Sequence, residues 1–231
     1  MQLKTLATGS NPGNCYILTN NKGEHLLLDM GITINEIKKG LNYDVEHLVG
    51  GVCSHTHKDH RKAVKDLQAM GIPVWQPYLD EKRKRQRTKI GSYKIECFDV
   101  PHSVPCRGFI IQTDDLKILY ATDFEYIKYD FKNYGLNILL IEMNYQQKVM
   151  DKLDIDSHIS HTVLGHSSDI TTTEFILHNQ KHLQNVILCH YSKSGNMNRP
   201  EALEELKGKL PEYIETQWAI PGETIQLGCP F

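Results

Sequence analysis

The segment Ser54-His55-Thr56-His57-Lys58-Asp59-His60 gathers three imidazoles and a carboxylate within six consecutive residues. Both groups are ligands for zinc, manganese or iron. Residues 49–54 read as a strand that runs straight into the cluster. On an extended strand end, residues two apart point the same way, so His55 and His57 can share one ion. Asp59 and His60 lie just past the turn into a helix and can face a second. Desolvating so many polar groups together at one strand end is costly unless a cation satisfies them.

Further ligands have to come from elsewhere in the chain, and three candidates occupy similar positions. His102 follows a strand predicted over residues 93–100, Asp123 follows one over 117–121, and His190 closes one over 186–190. Each stands where a strand gives way to a loop.

The elements that must position these side chains are mostly short strands. Residues 3–6, 15–18 and 26–29 are strand-like and are separated by the turn signals Asn11-Pro12-Gly13-Asn14 and Asn21-Lys22-Gly23. Ile34, Ile37 and Leu41 have helical spacing over 34–41, with Thr33 and Glu36 at capping-box separation. Ala63, Val64, Leu67 and Met70 predict one helix over 59–70. Further strands are expected at 72–75, 108–112, 138–142, 214–219 and 224–227, and helices at 171–183 and 200–209. Strands with a few helices, followed by the same again, fit two sheets packed face to face with helices outside.

The 231 residues suit one domain of this kind, spanning 1–231, and the 40 % apolar content is enough for a buried core. No apolar run reaches the roughly 18 residues of a membrane span. Met1-Gln2-Leu3-Lys4 leads directly into a strand without the features of a signal peptide, so a cytoplasmic chain with no membrane partner is expected. The six cysteines lack Cys-x-x-Cys spacing and read as reduced thiols. A formal net charge of −2 gives no global pull toward nucleic acid. Locally, however, Lys82, Arg83, Lys84, Arg85, Arg87 and Lys89 crowd together. That run fits phosphate contacts or, equally, a solvated helix or loop. No aromatic residue interleaves it to stack on bases.

Taken in order along nearly the whole chain, these residues resemble the metallo-β-lactamase superfamily. The H-x-H-x-D-H signature is complete, and Asp29 in Leu28-Asp29-Met30-Gly31 looks like the aspartate of the family's first motif, which supports the histidine loop. The resemblance implies an α/β fold: a four-layer αβ/βα sandwich of two mixed β-sheets flanked by helices. It implies two divalent ions, zinc or manganese. His55, His57 and His102 would hold one, Asp59, His60 and His190 the other, and Asp123 would bridge them. It also implies that a water or hydroxide between the ions is the nucleophile.

Three features point within that superfamily to phosphodiesters. Asp59 supplies a second ion site, which suits in-line attack on phosphorus, and so counts as a catalytic candidate as well as a ligand. Gly165-His166-Ser167-Ser168 is similar to the histidine motif of ribonuclease Z, and Glu142 lines up with the glutamate that pairs with that histidine. The carboxylate would raise the proton affinity of the imidazole and let it act as an acid near neutral pH. The alternative for His166 is a residue that merely precedes a helix capped by Ser167 or Ser168. The layout, from the opening Gly9–Cys15 stretch to Tyr191 and the residues through 196, looks most like short bacterial and phage members related to a 5′-exonuclease-like branch. The chain lacks the long arm with which ribonuclease Z clamps transfer RNA.

The expected activity is thus a dinuclear metal-dependent phosphodiesterase, a DNA or RNA nuclease. The alternatives are a cyclic-nucleotide phosphodiesterase and a thioesterase or lactonase of the glyoxalase type. A metal-stabilised binding subunit fits less well, because structural zinc sites are closed. The expected partner is a nucleic acid or nucleotide substrate, and homodimer formation stays open.

Overall fold

The structure is a computed structural model that describes residues 1–151, 165–192 and 197–228. Residues 193–196 of the motif noted above and Cys229 lie outside the described residues.

Two mixed sheets face each other. The first contains β1 (Gln2–Ala7), β2 (Cys15–Thr19), β3 (His25–Leu28), β4 (Leu48–Val52) and β5 (Val74–Trp75), with β13 (Thr224–Gln226) paired to β1, in the order β13-β1-β2-β3-β4-β5. The second contains β6 (Gln86–Ile90), β7 (Tyr93–Val100), β8 (Cys106–Gln112), β9 (Lys117–Ala121), β10 (Ile138–Glu142), β11 (Asn185–Cys189) and β12 (Glu215–Trp218), in the order β12-β11-β10-β9-β8-β7-β6. Strands β6 to β9 are antiparallel and β9 to β12 are parallel.

Side-chain alternation sorts the core into layers. Leu26 and Leu28 of β3 face the second sheet together with Tyr16, meeting Phe109, Tyr120, Leu140 and Ile187. Leu27 points the other way, beneath Ile37 of α1 (Ile34–Gly40) and Leu67 of α3 (Val64–Ala69). Leu119, Leu139 and Val186 form the outer face of the second sheet, covered by Ile176 of α4 (Asp169–Asn179) and Leu206 of α5 (Arg199–Lys207). The four-layer αβ/βα sandwich expected from the sequence is therefore the observed fold. Strands β10 and β11 are buried along their whole length, as parallel strands covered on both faces must be. Among the described residues no helix is long and apolar enough to cross a membrane.

Two local expectations are corrected. The helix predicted over 59–70 is two short ones, α2 (Lys58–Arg61) and α3, separated at Lys62 and Ala63. The Ala63 amide donates to the Met30 carbonyl (3.0 Å) and the Met30 amide to the His60 carbonyl (2.8 Å), so the segment after β3 takes backbone bonds a continuous helix would need. The basic run is not a solvated helix or loop beyond Arg85, because residues 86–90 form β6 at the edge of the second sheet. Arg85 and Arg87 both reach Glu96 (2.7 and 2.9 Å), and Arg83 approaches Asp80 (3.5 Å). Charged side chains on an edge strand discourage pairing with another sheet. An aromatic residue does reach the run from elsewhere in the chain. Tyr129, from the β9–β10 connection, places its ring 5.5 Å from the Arg85 guanidinium.

Candidate metal centre

The centre is built at one end of the sandwich, where β3, β4, β7, β9, β10 and β11 stop. Asp29 follows β3 in the left-handed region (φ 53°) and is fully buried. Its carboxylate accepts from the Ser54 amide (2.7 Å), the Ser54 hydroxyl (2.9 Å), the Tyr120 hydroxyl (2.6 Å) and His60 Nδ1 (2.8 Å). These bonds fix the protons on the rings around it. The Ser54 hydroxyl proton is committed to Asp29, so Ser54 Oγ accepts from His55 Nδ1 at 2.9 Å. His55 therefore presents a bare Nε2, buried and without a hydrogen-bond partner. The His60 proton on Nδ1 likewise leaves Nε2 as an acceptor, and Asn14 Nδ2 donates to it at 3.0 Å. His102 donates from Nδ1 to the Gly165 carbonyl (2.7 Å) and turns Nε2 inward. Three imidazoles thus turn Nε2 toward one small volume, and metal binding requires that nitrogen to be free of a proton.

The potential ligand atoms fall into overlapping groups. His55, His57 and His102 form one, with ring centroids 4.6, 5.0 and 5.1 Å apart. Asp59, His60 and His190 form another. Asp123 lies between, with Oδ2 3.1 Å from both His60 Nε2 and His190 Nδ1, and Oδ1 4.0 Å from His102 Nε2. The structure thus brings together all seven residues singled out as ligands. Both ring nitrogens of His190 are buried without a hydrogen-bond partner, and its contact with Asp123 is close but not aligned for one. Orphaned buried acceptors beside a carboxylate fit divalent ions.

The electrostatics are those of a cation site. Burial, then the positive charge favoured at His60, holds the His55 imidazole well below its ordinary range, keeping it neutral. Burial opposes charge at His60, but the Asp123 and Asp29 carboxylates outweigh it. A cation beside Nε2 meets the same demand without a proton there. Asp123 and His190, like Asp29, hold left-handed backbone (φ 54° and 48°), a conformation in which aspartate and histidine are enriched and which clusters at functional sites.

Glu142, at the end of β10, is fully buried, and its Oε1 lies 2.7 Å from His166 Nδ1. Burial opposes charge on His166, but Glu142 lifts the imidazolium to about 9. His166 Nδ1 is also 3.8 Å from Asp123 Oδ1, and the ring belongs geometrically to a further possible ligand group with Asp123 and His190.

Several positioning residues were not found from sequence. Asn14 donates its amide to the Asp59 carbonyl (2.7 Å) and accepts from Gly31 (2.8 Å), clamping the β1–β2 loop to the histidine loop. Gly31 is required there, because a Cβ would lie 1.6 Å from the Asp59 carbonyl oxygen. Ser54 and Tyr120 orient Asp29. Only the turn signal around Asn11–Asn14 hinted at any of this. Tyr120→Phe should remove one bond to a buried carboxylate and lower stability by about 1.5–3 kcal/mol in chemical denaturation.

The rings and carboxylates open onto a cleft of about 470 Å³ lined by Ser10, Pro12, Lys58, Lys62, Ser103 and His166 beside the candidate ligands. Its site at the strand ends of two packed mixed sheets, beneath an H-x-H-x-D-H loop, is the arrangement of the metallo-β-lactamase fold, and this chain has that fold. The chain is similar to the metallo-β-lactamase fold protein YhfI of Bacillus subtilis, with a TM-score of 0.74 at 18 % identity over 97 % of this chain and 98 % of that one. The short form of human tRNase Z superposes with a TM-score of 0.65 at 14 % identity, covering 99 % of this chain and 100 % of that one. A diphosphatase of the PhnP family does so with a TM-score of 0.65 at 14 % identity and 98 % coverage of both chains. No family model matches the chain, and no curated protein matches it in sequence.

Proposed function

We propose that this protein is a metal-dependent hydrolase that cleaves a phosphodiester in a nucleic acid or nucleotide, with His166 as the general acid. The observation that carries this reading is the 2.7 Å contact between His166 Nδ1 and the buried Glu142 carboxylate, at a ring that lines the cleft. With Nδ1 held by Glu142, the proton on Nε2 is the one free to move, and an alkoxide leaving a phosphodiester needs such a proton. Thioester cleavage needs it less, since a thiolate leaves unaided. Two fold relatives, a tRNase Z and a diphosphatase, are named for substrates that contain phosphorus.

His55, His57 and His102 would hold one divalent ion, and Asp59, His60 and His190 a second, with Asp123 reaching both. Ions bound there would polarise the phosphoryl oxygens and lower the pKa of water. The chain's own contribution is positional. Asp29 fixes His60 directly and His55 through Ser54, Gly165 orients His102, and Glu142 holds His166 toward the cleft. Protein reconstituted with zinc or manganese should hydrolyse bis(p-nitrophenyl) phosphate and labelled single-stranded DNA or RNA, and leave a lactone and an acyl thioester largely untouched. Turnover of the lactone or thioester without any diester cleavage would overturn the reading.

A further inference from the structure

Lys58 and Lys62 stand one helical turn apart, at the start of α2 and just beyond its end, and both line the cleft beside Asp59 and His57. Both are exposed, and neither forms an ion pair among the described residues. The nearby carboxylate that feels Lys62, Glu36, is already occupied by the Thr33 amide and hydroxyl. What sets these two apart is that both stand on one wall of the cleft. Arg85, Arg87, Lys128 and Lys148 all meet carboxylates. Two unpaired ammonium groups on one wall of a cleft form a receptor for anionic charge.

The rest of the lining says what kind of anion. Among the described residues the cleft has no aromatic ring other than imidazole and no apolar side chain larger than Pro12. These residues therefore offer no platform for stacking a base and no pocket for an acyl chain. Its volume of about 470 Å³ falls in the range that takes a whole small ligand, roughly 300–1,000 Å³. A scissile phosphate seated over Asp59 and Asp123 would fill one part, leaving the lysine wall for a second charged group.

We propose that Lys58 and Lys62 bind a second phosphate of the substrate, so that the preferred substrate carries another phosphate group close to the scissile diester. This rests on the phosphodiesterase reading and deepens it. The second phosphate can be a terminal phosphomonoester or the next internucleotide linkage, and the chemistry of recognition is the same.

The test uses the full-length, metal-loaded protein. Calorimetry compares binding of thymidine 3′,5′-bisphosphate with that of thymidine 5′-monophosphate. Kinetics compare thymidine 5′-(p-nitrophenyl phosphate) with and without a 3′-phosphate, and with a 3′-linked second nucleotide. The second phosphate should improve Kd and kcat/KM by roughly 3- to 30-fold, since exposed charge contacts are individually weak, and the gain should shrink with added salt. Lys58→Ala/Lys62→Ala should abolish the gain, and Lys58→Arg/Lys62→Arg should retain most of it. A gain from the phosphomonoester alone identifies a terminal group, and a gain from the linked nucleotide identifies a polynucleotide. An equal response of the singly and doubly phosphorylated compounds to the alanine variant, or the absence of any preference in the native protein, would overturn the proposal. If the bisphosphate preference appears in binding while no diester is cleaved, the phosphate site stands and the phosphodiesterase reading fails.

Discussion

His166→Ala is expected to leave the metal content intact and to slow cleavage of a diester with a nucleotide alkoxide leaving group by roughly 10²–10⁴, the usual worth of general acid catalysis. A diester with a nitrophenolate leaving group needs little protonation and should be affected far less. Glu142→Gln should give the same leaving-group pattern in milder form, since His166 would keep its place and lose the carboxylate that raises its proton affinity. The geometry supplies the rival outcome as well. His166 lies within reach of a ligand group with Asp123 and His190. Elemental analysis of His166→Ala showing a lost ion, or equal slowing of both substrates, would make this residue a ligand or a phosphate contact instead of an acid.

The second large effect is expected at Asp123. Because its carboxylate reaches both His60 and His190 at 3.1 Å and approaches His102, its removal should release both ions together. His190→Ala should weaken mainly one. Native protein should carry close to two ions per chain after reconstitution with zinc or manganese. The informative variant is Asp123→Asn, because the backbone there is left-handed and asparagine tolerates that conformation where alanine is strained by roughly 1–2 kcal/mol. An asparagine variant that keeps its fold by circular dichroism but also keeps both ions would show that Asp123 does not bridge.

The candidate ligands were legible in the sequence because most of them stand just past the end of a strand, with Asp59 and His60 in the short helix that follows one. A run such as residues 117–121 followed by Thr122-Asp123 announces both the element and the point where its last side chain is freed. What was not legible depends on contacts between distant segments. The spacing of Ala63, Val64 and Leu67 is helical, but Met30 competes for the backbone groups on either side of Lys62 and divides the helix. In residues 86–90 the charges of Arg87 and Lys89 hid a strand, because on an edge the outward-facing positions are free to be charged. The hydrogen bonds that orient Asp29 come from Ser54 and Tyr120, neither of which is near it in sequence. The lysines of the cleft were visible as residues, but their meeting on one wall of it is a property of the fold alone.

The two sheets contribute unequally along the chain to the metal centre. Asp29 and the histidine loop belong to the first sheet, while His102, Asp123, Glu142 and His190 belong to the second, and the His190 amide donates to Thr8 Oγ1 at 2.8 Å across most of the polypeptide. During synthesis the early ligands therefore leave the ribosome long before their partners exist. The nascent chain would expose a run of free imidazoles that can hold metal only loosely, and tight loading must wait until β11 has been made and docked. Once closed, an ion bound by ligands from both sheets would cross-link the two halves, so resistance to unfolding should rise with free metal by about 2.7 kcal/mol at a hundred times the dissociation constant. A cell starved of metal would then lose this protein to degradation as well as its activity.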